Sequence, residues 1–133
     1  MPVEARGIPA AAAAGLQAAK KASDTVVDTA ENAAKAASAT PGGPAARAAA
    51  ELAKAGALAA MSSAITAAAG GADIHTCATP LPIPPHGPGV IIDGSKTVQV
   101  NYLPACREKD SILEALGPIN KVAKGLATVI IGG

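Results

Sequence analysis

At 133 residues the chain has room for one domain and an appendage. Its 11 basic and 10 acidic side chains nearly cancel and are spread over both halves, which excludes the clustered basic face of a nucleic-acid binder. One Tyr, no Phe and no Trp, with alanine supplying much of the 50% hydrophobic content, exclude a large aromatic-rich core.

The opening Met1-Pro2-Val3-Glu4-Ala5-Arg6 lacks the basic region and leucine-rich core of a secretory signal, which predicts folding in the cytoplasm with reduced cysteines. Residues 1–9 read as a short leader closed by Pro9. From about Ala10 to Ala39 the alanine-rich run predicts a helix, with Glu31 and Lys35 as a favourable i,i+4 pair. Thr40-Pro41-Gly42-Gly43-Pro44 breaks it. A second helix is predicted from Pro44, which suits a first turn, to about Ala69, ending at Gly70-Gly71. Leu58, Met61 and Ile65 fall on one face of that helix.

The two helices read as an antiparallel hairpin packed through alanine, and too thinly apolar to stand alone. Residues 55–72 carry no charge, near the length of a membrane span. A soluble helix and a conditionally inserting one are both open readings.

At about residue 70 alanine gives way to Pro, Gly, Val and Ile. The expected fold class is therefore α+β: an Ala-rich helical hairpin over residues 1–70, then a small β domain over residues 71–133 that folds by itself. Val90–Asp93, Gly94 and Thr97–Tyr102 predict a hairpin with an Asp-Gly turn. Asp110–Leu116 is ambiguous between strand and helical turn, and Val122–Ile131 predicts a closing hairpin. Gly94-Ser-Lys-Thr97-Val98-Gln-Val100 and Gly125-Leu-Ala-Thr128-Val129-Ile-Ile131 echo one another, which suggests one hairpin unit used twice.

All the histidines and cysteines of the chain, His75, Cys77, His86 and Cys106, lie in this second part. Two imidazoles and two thiolates match a closed tetrahedral zinc site, and a small aromatic-poor domain gains the stability it lacks from such a metal. His75 and Cys77, two apart, share one side of an extended strand. Five prolines between Pro80 and Pro88 stiffen the segment that carries His86. The spacing fits no common zinc finger. A Cys77–Cys106 disulfide is one alternative. A thiolate–imidazole pair in a small thiol or metal-dependent enzyme is another.

Asp73-Ile-His75-Thr-Cys77, Pro-Pro-His86-Gly-Pro-Gly, Gly94-Ser-x-Thr97-Val98, Leu103-Pro104-Ala105-Cys106-Arg107-x-x-Asp110 and the closing Gly125-x-x-Thr128-Val-Ile-Ile-Gly-Gly occur in that order. Together they resemble the PAAR-repeat proteins over residues 71–133. Pro44-Ala45-Ala46-Arg47, which spells the family's name, opens a helix and carries no functional weight. The resemblance implies a non-enzymatic β-hairpin cone with zinc near its apex. Such a cone caps the trimeric VgrG-type spike of contractile injection machines, chiefly type VI secretion, and aids membrane puncture and effector delivery.

It implies one chain per spike trimer and membrane contact only during puncture, and the even charge spread adds the expectation of no nucleic-acid partner. The protein would be cytoplasmic until assembled, then delivered outside the cell or into a target cell. Residues 1–70 could bind an effector, a chaperone or a membrane. Two departures stand out. Cys106 replaces the second Ala of the motif, and the Cys often found a few residues after the motif's Asp is absent, so Cys106 is a candidate substitute ligand.

Overall fold

Ala10–Ala36 form helix α1 and Gly43–Ala69 form helix α2 in the computed structural model, which describes residues 5–76 and 86–132. Alanine costs least to hold helical; α2 ends at its glycine as expected, while α1 stops at Ala36, short of the expected Ala39. Pro44 sits in the first turn of α2, and Gly70 closes it in the left-handed conformation with φ 53°, which a side chain would resist. The helices pack antiparallel. Glu31 pairs with Lys54 of α2 at 2.8 Å rather than with Lys35, because Lys54 reaches it across the helix contact.

Six short strands follow: β1 (Ile74–Thr76), β2 (Pro88–Ile91), β3 (Gln99–Val100), β4 (Leu103–Pro104), β5 (Ser111–Glu114) and β6 (Asn120–Lys121). β1, β2, β5 and β6 form one antiparallel sheet in that order, and β3 and β4 form a separate two-stranded hairpin. The ambiguous segment after Asp110 is thus a strand.

Two hairpin expectations fail. β2 pairs with β1 and β5, not with the 97–102 segment. The tight turn falls instead at Asn101-Tyr102, both at positive φ (51° and 66°), joining β3 to β4. Gly94 serves close approach, not a turn: a Cβ there would lie 2.8 Å from Pro104 Cβ and 3.0 Å from the Ala105 carbonyl. The closing hairpin is also absent. Among the described residues, the only strand after β5 is Asn120–Lys121, which pairs with it, and 122–132 hold no strand. The first echoed segment meets the residue that follows the second, Ser95 Oγ donating to the Gly132 carbonyl at 2.7 Å.

The change of secondary structure near residue 70 is not a break between cores. Ile8, Leu16, Met61, Ile65, Val90, Ile92 and Leu113 form one buried cluster drawn from leader, helices and sheet. The leader itself lies among the strands. Ile8 N–H donates to the Ile91 carbonyl (2.9 Å), Gly7 N–H to that of Pro104 (2.8 Å), and Cys106 N–H to that of Ala5 (2.8 Å). Each half alone would expose apolar surface that the other now covers.

Candidate metal centre

The sheet register sets one row of residues side by side: His75 on β1 opposite Gly89 on β2, and Gly89 opposite Glu114 on β5. Side chains alternate along a strand, so this row lies on the face opposite Val90 and Leu113, which face the helices. Gly89 leaves the middle of the row open. A Cβ there would stand 2.9 Å from Glu114 Cγ and 3.0 Å from Ile112 Cγ2, so glycine is what lets Glu114 lean over β2 toward β1.

Glu114 has no exposed surface. His86 Nδ1 lies 2.7 Å from Oε2, the ring N–H donating, and Asn120 Nδ2 donates to the same oxygen at 2.8 Å. His75 Nε2 lies 3.2 Å from Oε1, but off the line on which a ring N–H would donate. Among the described residues Oε1 accepts no hydrogen bond. A buried carboxylate carries a desolvation cost of several kcal/mol, and among the described residues only one of its two oxygens finds a hydrogen-bond donor.

The structure therefore brings His75 and His86 together, with Glu114 between them. Cys77 lies outside the described residues. Cys106 goes elsewhere: it follows Ala105, which bridges to Arg6, and stands among Asp73, Asp93 and Asp110. That group surrounds the Ser111 end of β5. Glu114 is at the other end, three strand steps or about 10 Å away. Burial, and then the carboxylates of Asp110 and Asp93, push the Cys106 thiol up to about 11. The thiolate that a metal or a nucleophilic mechanism needs is disfavoured there. Among the described residues, no three His, Cys, Asp or Glu side chains form a set able by themselves to hold a metal ion.

Reading the sequence missed Glu114 and Asn120. What singles out Glu114 is a duplicated Arg–Asp clip that shows only once the chain is folded. Arg107 N–H donates to Asp110 Oδ2 at 2.7 Å, its Nε approaches the same oxygen at 3.3 Å, and Asp110 N–H returns to the Arg107 carbonyl at 3.2 Å. Arg6 and Asp73 make the same three contacts at 2.7, 3.2 and 3.1 Å, although 67 positions separate them. Each Asp then leads into a strand paired with β2. Counted from its Asp, Glu114 stands fourth after Asp110 as Cys77 stands fourth after Asp73. The helical hairpin is inserted inside the first clip and hides the parallel.

No protein-family model, no curated protein and no solved structure matches this chain.

Proposed function

We propose that the chain is the metal-hardened tip protein of a contractile injection spike of the type VI kind. It would cap a VgrG-like trimer with one copy and act mechanically, not as an enzyme. The observation that carries this reading is the convergence of His75 and His86 on a buried carboxylate at one end of a small antiparallel sheet. The twice-used Arg–Asp clip, which holds successive chain segments beside that sheet, adds support.

The donor set suits zinc. Imidazole and carboxylate both bind it, and the open Oε1 facing His75 Nε2 is a buried acceptor that needs a positive partner. His75 and Cys77 are the residues that would gather the ion beside that carboxylate, and the ion would supply a rigid cross-link between β1 and β5 in a core with little apolar area. The remaining work falls to the chain. Gly89 opens the gap, Asn120 and His86 fix the carboxylate, and the clips hold the strand starts. Neither charge sign dominates the chain, so its contact with the spike would rest on strand edges and aliphatic side chains. Val129 and Ile130, which are exposed, are suited to such a contact.

The test is assembly. Purified chain added to the spike trimer from the same cell should saturate at one copy per trimer, with weak dependence on salt. Three copies per trimer, or none, would sink this reading.

A delivery role for the helices is a second reading. α2 is long and apolar enough, by length and composition, to cross a membrane, and little of its most apolar window is buried. Val26 and Leu52 are likewise exposed on the hairpin. A chaperone or cargo that binds the full chain and is released by Val26→Asp or Leu52→Asp, both exposed on the hairpin, would favour it.

A further inference from the structure

Resting on the metal reading above, we infer that Glu114 is itself a metal ligand, binding through Oε1 beside His75 Nε2, while His86 and Asn120 act through its other oxygen. The two short contacts of this carboxylate differ in kind. At 2.7 Å, His86 Nδ1 to Oε2 has the length and alignment of a charge-assisted hydrogen bond. At 3.2 Å and misaligned, His75 Nε2 to Oε1 does not.

Two atoms bound to one tetrahedral zinc, each about 2.0–2.1 Å from the ion, lie about 3.3 Å apart, with their lone pairs converging on the ion instead of on each other. The His75–Glu114 spacing matches that edge. The asymmetry of the carboxylate fits the same arrangement. Among the described residues, both N–H donors that reach the carboxylate are spent on Oε2, and Oε1 is left buried beside the imidazole without a hydrogen bond.

A second observation is independent of these distances. The clip repeat puts Glu114 at the place after Asp110 that a cysteine fills after Asp73, so a donor stands at that place in both copies. Cys106, at the Ser111 end of β5, is displaced from the role of fourth ligand. His86 becomes a positioning residue whose ring N–H orients the carboxylate, an arrangement that normally tunes metal affinity about 10- to 100-fold.

Glu114→Gln in the full chain is the direct test, because the amide oxygen can still accept from His86 and Asn120 but has lost its charge. Zinc affinity measured by competition with a chelator should fall by more than about 100-fold, beyond what loss of an outer partner explains, while Asn120→Ala stays within about 10- to 100-fold. Should the Gln variant fail to fold, Cys106→Ser gives the answer from the other side. Its zinc content and the number of sulfurs on the metal, read from the X-ray absorption spectrum, should equal those of the wild type. Zinc-loaded wild type with undiminished affinity in Glu114→Gln, or loss of one metal-bound sulfur in Cys106→Ser, overturns the assignment of Glu114 alone. Wild-type chain that binds no zinc overturns the metal reading with it.

Discussion

Ile65→Ala tests whether helices and sheet share one core. Ile65 has no exposed surface and sits in the cluster that joins α2 to Val90 and Leu113. Removing three buried carbons costs about 2–5 kcal/mol, the transfer free energy plus the cavity left behind. Unfolding 133 residues at about 2.1 cal/mol/K each gives an entropy near 280 cal/mol/K, so a loss of about 3 kcal/mol lowers Tm by about 10 °C. A shared core requires the loss to be felt on both sides. Helix content by circular dichroism at 222 nm and amide exchange in β2 and β5 should move together, in one transition. If exchange in β2 and β5 is unchanged while the helical signal melts earlier, the sheet is an independent unit and the reasoning fails. By the same logic a chain lacking residues 1–70 should not fold, since Val90, Ile92 and Leu113 would each expose surface whose burial contributes about 1.5–3 kcal/mol.

Three further outcomes are expected. Gly89→Ala should destabilise the chain by about 1–3 kcal/mol in urea unfolding, because the new methyl meets Glu114 Cγ at 2.9 Å and the Leu113 carbonyl at 3.1 Å; an unchanged midpoint would mean that the row is not packed as described. Cys106, raised from 9.0 to about 11, should be alkylated about 100-fold more slowly at pH 8 than an unperturbed thiol, as mapped by mass spectrometry, with the rate climbing toward pH 11; a fast reaction at neutral pH would contradict its acidic surroundings. Glu31 is held below its ordinary value by Lys54, first by the hydrogen bond and then by its charge, so the stability from this pair should be present above about pH 4.5 and be lost as pH falls through the folded value. Being partly exposed, the pair is worth less than about 1 kcal/mol, and Glu31→Gln should flatten that acid limb of the urea-unfolding curve.

Local chemistry was legible in the sequence wherever it decided the outcome alone. Alanine content marked both helices, and Pro44 and Gly70 the bounds of α2, because propensity and capping act within a few residues, whereas α1 stops at Ala36, short of the expected Ala39. The concentration of His75 and His86 in one small segment likewise pointed to the region that the fold brings together. Tertiary structure decided what depended on partners distant in sequence. Gly94 reads as a turn glycine but yields its space to Pro104 and Ala105. The leader, a loose tail to the eye, is bonded to β2 and β4, because the backbone groups of Ile91 and Pro104 needed partners. Glu114 carries no local mark of a ligand, since an isolated glutamate ordinarily faces water. Its burial follows from the register that sets it across Gly89 from His75, and registers are chosen by packing of the opposite face, Val90 and Leu113 against the helices. The clip between Arg6 and Asp73 was invisible for the same reason: its halves are distant along the chain and adjacent only once α1 and α2 have folded back between them.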